Sequence, residues 1–176
     1  MTSRRSFESV RSGEGRPLEA RSVVATVSRW AMLVGVTLVP WIELRGSIPL
    51  GLAWNLPWYG VALVAVAANV LVFVPTYAAL ALLYDRWLSR TFVRALVERA
   101  RRRGQPLIAR HGTWGLALFV AVPLPGTGAY SGTALAFLLG LPANRAFGAV
   151  AAGVVLAGMV VTLVSTGVLA GVRSLM

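Results

Sequence analysis

Read for its hydrophobic and polar positions, the chain is two long uncharged blocks joined by a basic stretch. From Trp30 to Tyr84 the only formal charges are Glu43 and Arg45, and from Gly112 onward they are Arg145 and Arg173. Uncharged stretches of this length mark membrane spans. The first block opens with an apolar run, residues 30–40, which ends at Pro40. As a helix it rises roughly 16 Å, about half of a hydrocarbon core of ~30 Å. Extension back to Ser22 would give a full span, but would bury Arg29 unless that side chain snorkels. The segment "PWIELRGSIPLG", residues 40–51, then interrupts the apolar pattern with two charges, two prolines and two glycines. The short run "LGLAW" and the turn "NLP" follow, with Pro57 suited to the first turn of a helix. Residues 58–84 are uncharged throughout. As a helix they would reach roughly 40 Å, enough to cross with tilt. Pro75 is expected to kink it.

The second block repeats this order. A half-length run at 114–122 meets "PLPGTGAYSG", residues 123–132; "TALAFLLG" follows, Leu-Pro turns again at Pro142, and 146–172 is a second long span. Sliding the sequence by 85 brings Pro40 onto Pro125, Leu50 onto Leu135, Leu56 onto Leu141 and Pro57 onto Pro142. If each half-run pair is a re-entrant hairpin, each unit crosses the membrane once, and the second unit is inverted relative to the first. The two broken centres then meet near the midplane, as in transporters whose paired interrupted segments form the binding site. The competing layout has four full spans, with both termini and the linker on one side. Segment length favours hairpins. The expected fold is therefore all-α and integral to the membrane, with two inverted repeats, each a re-entrant broken-helix hairpin plus one long transmembrane helix. Repeat one covers 30–84 and repeat two 112–172, within a single membrane domain over 22–176. Residues 1–21, rich in Ser, Arg, Glu and Gly and without periodicity, read as a disordered basic tail.

Composition sharpens this picture. The mean hydropathy is +0.71 and 13% of residues are charged, against about 25% for soluble domains. The net charge is +11, carried by arginine alone. Most of it lies in 1–29 and 85–110, beside the apolar blocks, so anionic lipid headgroups are the expected partner rather than nucleic acid. In the linker, Leu88, Phe92 and Leu96 recur at helical spacing, with Arg86, Arg90 and Arg94 on another face. This is an amphipathic interfacial helix, and its arginines place 85–110 on the cytoplasmic side of a plasma membrane. The absence of cysteine excludes disulfides and thiol catalysis. One histidine and six acids leave little for a metal centre. No enzyme, cofactor or metal is expected.

The candidate chemistry lies at the two breaks. A charge at membrane depth costs at least about 2.5–3.5 kcal/mol, so Glu43 and Arg45 need a watery or protein-lined setting. Pro40, Gly46 and Pro49 loosen the backbone that carries them. Three readings are open: Glu43 carries a proton while Arg45 holds an anionic group or tunes it; the two form a fixed ion pair at the hairpin tip; or the tip lies in the aqueous interface. The second break, with Pro123, Pro125, Gly126 and Gly128, has no charge but offers Thr127, Tyr130 and Ser131. Its non-helical backbone must line a cavity or be buried in protein, and the N–H groups at the next helix start could face an anion. A tight turn is the plainer alternative. Asn69 either reaches the cavity or bridges helices. Arg145 reads as an interfacial anchor, and His111 as a loop residue. Thr162, Ser165 and Thr166 either line a pathway or bond back to their own helix. Ala149, Gly153 and Ala157, and the pair Gly167 and Gly171, suit close helix packing within one chain or in a homo-oligomer.

"ELRGSIPLG" at 43–51 and "PLPGTGAYSG" at 123–132 resemble the signature segments of the small multi-drug export protein family, similar in turn to the DedA / SNARE-associated membrane proteins. The matching positions are Glu43, Arg45, Gly46 and Pro49, then Pro123, Pro125, Gly126, Thr127 and Gly128, and the resemblance covers about 35–172. It implies proton-linked export of small compounds, with two re-entrant hairpins in an inverted repeat. Lipid or polyprenyl-phosphate translocation is the alternative it implies. A non-transport assembly factor, docking through 85–110, is a third reading.

Overall fold

The computed structural model describes residues 5–86, 112–124 and 127–175, all-helical between turns and without a strand among them. The chain divides into two units, Met1–Met32 and Leu33–Met176. Helix α1 (Arg5–Thr37) begins inside the stretch read above as an aperiodic tail and ends in the second unit. In the first unit, Thr26 and Ser28 donate their hydroxyls back to the carbonyls of Ser22 and Ala25, as hydroxyl residues inside helices do.

The second unit starts with the last turn of α1. Pro40 has no N–H to continue the ladder. The chain turns over 38–42, and the N–H groups of Ile42 and Glu43 both donate to the carbonyl of Val39, at 3.1 and 3.0 Å. Helix α2 (Glu43–Ala53) begins there. After it come α3 (Trp58–Leu71) and α4 (Phe73–Arg86), then α5 (Trp114–Ala121), α6 (Ala129–Leu138) and α7 (Ala143–Leu175). The linker with Arg90, Arg94, Leu88, Phe92 and Leu96, together with His111, Pro125 and Gly126, lies outside the described residues.

The break between α3 and α4 falls at Val72 rather than at Pro75. A proline removes the bond to the carbonyl four residues back and crowds that carbonyl. The disturbance from Pro75 is thus felt at Leu71, one residue before the interruption.

The two Leu-Pro turns are built alike. α2 ends with the N–H of Leu56 on the carbonyl of Gly51 and that of Asn55 on Leu52. α6 ends with the N–H of Leu141 on Ala136 and that of Gly140 on Phe137. Asn55 and Gly140 both adopt left-handed backbone, φ 57° and 73°. This is the Schellman cap, in which a residue with positive φ turns the chain so that two orphan carbonyls are satisfied. The following Leu is buried in both turns, and the proline then starts the next helix. An offset of 85 residues carries each donor and acceptor of the first cap onto its counterpart in the second, Ala53 onto Leu138 and Trp58 onto Ala143.

α7 is the central helix, packed by α2, α3, α5 and α6, while α4 lies along α6. Of the small residues foreseen for close packing, Gly153 serves α5, whereas Gly167 and Gly171 face open space. A Cβ at Gly153 would run into the carbonyl of Ala117 and the side chain of Val120. Phe73 and Tyr77 stack on each other within α4, centroids 5.3 Å apart, and edge-on pairs join them to α7 through Phe147 (5.4 Å) and to α6 through Phe137 (5.8 Å). The Tyr77 hydroxyl donates to the carbonyl of Leu141 at 3.0 Å. Among the described residues, two stretches are long and apolar enough to cross a membrane, Trp58–Tyr84 and Ala143–Val172. Their outward residues are apolar too: Leu63, Leu71, Leu82 and Leu163 are 65–72% exposed. Exposed apolar surface on this scale suits a helix surrounded by lipid.

Candidate functional site

The two breaks meet. Glu43 opens α2, and its backbone is held at φ 48°, a conformation costing a non-glycine residue of order 1 kcal/mol or more. That twist sends its side chain inward, where it is 4% exposed. The carboxylate lands on the first turn of α6. Oε2 accepts the N–H of Ala129 at 3.3 Å and Oε1 that of Tyr130 at 3.4 Å. The first N–H groups of a helix have no partner within it and carry its positive end. No side chain of the α6 N-cap, Gly128, can serve them, so Glu43 caps α6 from 86 positions away in sequence.

Gly128 makes this approach possible. A Cβ there would overlap the Glu43 carboxylate. Its own backbone is extended, φ −87° and ψ −160°, so glycine is required here by the neighbour and not by φ. Gly46 has a local reason: a Cβ would overlap the Ile42 side chain within the turn entering α2.

Arg45 does the complementary work. Val122 precedes a proline and is held extended, φ −68° and ψ 120°. α5 ends there, and the carbonyls at 122–124 turn away from any helical partner. The Arg45 guanidinium donates to the carbonyls of Leu124 and Val122 (3.0 Å for the latter), and to Thr127 Oγ1 at 2.9 Å. Thr127 in turn donates to the same two carbonyls. Two charges from the first break thus satisfy the uncharged backbone of the second: carboxylate on N–H groups, guanidinium on C=O groups.

The other foreseen residues divide. Tyr130 belongs to the junction, since its hydroxyl donates to the carbonyl of Leu38 at 2.6 Å while its N–H holds Glu43. Its ring also lines an open apolar groove of about 650 Å³ along α3 and α4. Ser131 does not reach Glu43; its hydroxyl donates to the carbonyl of Gly128 within its own first turn. Pro49 lies inside α2, where it leaves the Arg45 carbonyl without its helical donor. Pro123 is exposed beside the carbonyls that Arg45 collects. Thr162 and Thr166 bond back to Gly158 and Thr162 in their own helix. Arg145 is exposed near Trp114.

Asn69, undecided from sequence, belongs to the site. It is 1% exposed and lines one small internal void with Glu43, Arg45 and Gly128. Neither of its amide atoms has a hydrogen-bond partner. The roles of Gly128 as a cradle, and of the Leu38, Val122 and Leu124 carbonyls as acceptors, escaped the sequence reading. The one available signal was the 85-residue offset, which carries Glu43 onto Gly128. Among the described residues no cluster of His, Cys, Asp and Glu could hold a metal ion.

A family model described as "Putative small multi-drug export protein" matches residues 43–160, from Glu43 itself through both breaks. No curated protein and no solved structure matches the chain.

Proposed function

Because the chain belongs to the small multi-drug export protein family, we propose that it is a multi-pass plasma-membrane transporter that exports small molecules in exchange for protons, with Glu43 as the proton-coupling acid. The observation that carries this reading is the position of the Glu43 carboxylate. A buried charge from the first half is the cap on a helix of the second half. That contact depends on the charge, because a neutral carboxyl gains far less from a helix N-terminus. Protonation loosens the junction and deprotonation restores it, so one proton can alternate the two halves between arrangements.

The architecture proposed with it is a pair of inverted re-entrant hairpins. α2, α5 and α6 rise roughly 16, 12 and 15 Å, too short for a core of ~30 Å. Glu43 touches its own counterpart under the 85-residue offset, Gly128, and Asn69 lines the same void as its counterpart Val154. Contact between equivalent positions is what a two-fold axis through the site gives. The linker is assigned to the cytoplasmic face by its arginines.

The lipid-phosphate reading would use Arg45 and the backbone at 126–128 to hold a headgroup. Here the two terminal nitrogens of Arg45 are engaged by Val122, Leu124 and Thr127, which leaves only its buried Nε unpaired, and the N–H groups of α6 are engaged by Glu43. That favours the proton-coupled reading. Purified protein in liposomes tests it, with ethidium as the transported probe. A pH gradient should drive ethidium movement that Glu43→Gln abolishes. Gradient-independent flipping of a fluorescent phospholipid, stopped by Arg45→Ala, would overturn the exporter in favour of the lipid translocase. Wild-type growth phenotypes in both variants, alongside loss of function on charge reversal of the 85–110 linker, would leave the assembly-factor reading.

A further inference from the structure

Three described residues hold buried polar atoms without a partner, Arg45 at Nε, Ser47 at Oγ and Asn69 at both amide atoms, and Asn69 is the one of them that lines the void beside Glu43 with its whole polar group unpaired. Its Oδ1 and Nδ2 are both without a partner. Leaving an amide buried and unbonded costs about 1–3 kcal/mol per group, so such a side chain in an apolar helix calls for an occupant. Water is not that occupant, because the void it shares with Glu43 has no room for a water-sized sphere. The partner has to come from the walls of the void. α5 and α7 present Val120, Val154 and Ala157 there. The charged and titratable groups facing Glu43 are Arg45 on α2 and Tyr130 on α6. Arg45 offers donors only and could satisfy Oδ1 but never Nδ2. An ionised Glu43 offers acceptors only and could satisfy Nδ2 but never Oδ1. A protonated carboxyl has one O–H donor and one C=O acceptor side by side, and satisfies both amide atoms at once.

We infer that Asn69 is the positioning residue for Glu43 in its protonated form, which leaves the N-terminus of α6 and pairs with the Asn69 amide through two reciprocal hydrogen bonds. The carboxyl O–H donates to Oδ1 and Nδ2–H donates to the carboxyl C=O. The proton arrives from the aqueous phase and stays on the carboxyl. The N–H groups of Ala129 and Tyr130 are then released, and with them the cap that ties the second break to the first. Glu43 thereby has two seats, one for each protonation state, and the strained backbone at φ 48° holds its side chain where both are in reach. This inference rests on Glu43 as the proton-carrying acid and adds where the proton-loaded group goes.

Infrared difference titration of the full chain in lipid nanodiscs tests it without any substrate. Subtracting the Glu43→Gln titration from that of wild-type protein should isolate one carboxyl C=O band, that of Glu43, among those of the chain's six acidic side chains. In Asn69→Leu, close in size but apolar, that band should move to higher frequency. Its midpoint should fall by about one pH unit, a tenfold loss of proton affinity, or about 1.4 kcal/mol. Asn69→Gln, which keeps both amide atoms, should recover most of the shift. A second measurement leaves the sequence intact. The chain has three asparagines, so carbon-13 labelling of their amides should show one amide band moving in step with the Glu43 carboxyl, and the Asn69→Leu spectrum identifies it. An unchanged carboxyl band and midpoint in Asn69→Leu, with no amide band following the titration, would overturn the role of Asn69 and leave Glu43 as proton carrier. A Glu43→Gln spectrum that has lost no titrating carboxyl band relative to wild type would overturn both.

Discussion

Gly128→Ala is the sharpest probe of the contact between the two breaks. The added methyl would occupy the space of the Glu43 carboxylate, while the extended backbone at 128 accepts alanine without strain. The carboxylate must therefore leave α6. Two charge-assisted hydrogen bonds are lost, and a hydrogen bond to a charged group contributes about 1.5–3 kcal/mol. At 3.3 and 3.4 Å both bonds are long, which puts each near the lower end, so the expected cost is about 3 kcal/mol. The same substitution in a Glu43→Ala background meets no carboxylate and breaks no such bond, and should cost under about 0.5 kcal/mol. The double-mutant cycle should then show a coupling of at least about 2 kcal/mol, beyond what independent sites give. Equilibrium unfolding in mixed micelles, followed by the fluorescence of the chain's six tryptophans, measures all four corners. An equal cost of Gly128→Ala in both backgrounds would refute the claim that Glu43 caps α6.

Other contacts give further expectations by the same assay. Arg45→Ala should cost about 2–4 kcal/mol. Arg45→Lys should recover less than half, because a single ammonium cannot span the carbonyls of Val122 and Leu124 and the Thr127 hydroxyl as the fork does; a fully stable lysine variant would contradict this. Tyr130→Phe removes the 2.6 Å bond to Leu38 and should cost about 1 kcal/mol. Gly153→Ala drives a methyl into the Ala117 carbonyl and should cost about 1–3 kcal/mol, whereas Gly167→Ala meets nothing within 4 Å and should stay within about 0.5 kcal/mol. Gly140→Ala forces alanine into left-handed backbone at φ 73° and should cost about 1–2 kcal/mol.

Much of this protein is written locally in its sequence. Pro40 and Pro123 mark helix ends, of the 33-residue α1 and the 8-residue α5, because a residue without an N–H, or one preceding a proline, cannot continue a helix. The long spans follow from runs without charge, and the matching of Pro57 with Pro142 foretold two turns that close with the same cap. Glu43 and Arg45 were conspicuous because an apolar chain does not keep charges without a use for them. What they bind was not local. Their partners lie 77 to 87 residues away, and only the packing of α2, α5 and α6 around α7 brings them within reach. The same packing made Gly128 a cradle rather than a turn residue, left Ser131 bonded to its own helix, and turned Asn69 toward Glu43 when its sequence neighbours gave no sign of which way it faced. Sequence determined where the helices break, because breaking is a property of single residues. Tertiary structure decided what the breaks are for, because a hydrogen bond between distant segments exists only once the helices that carry them are packed.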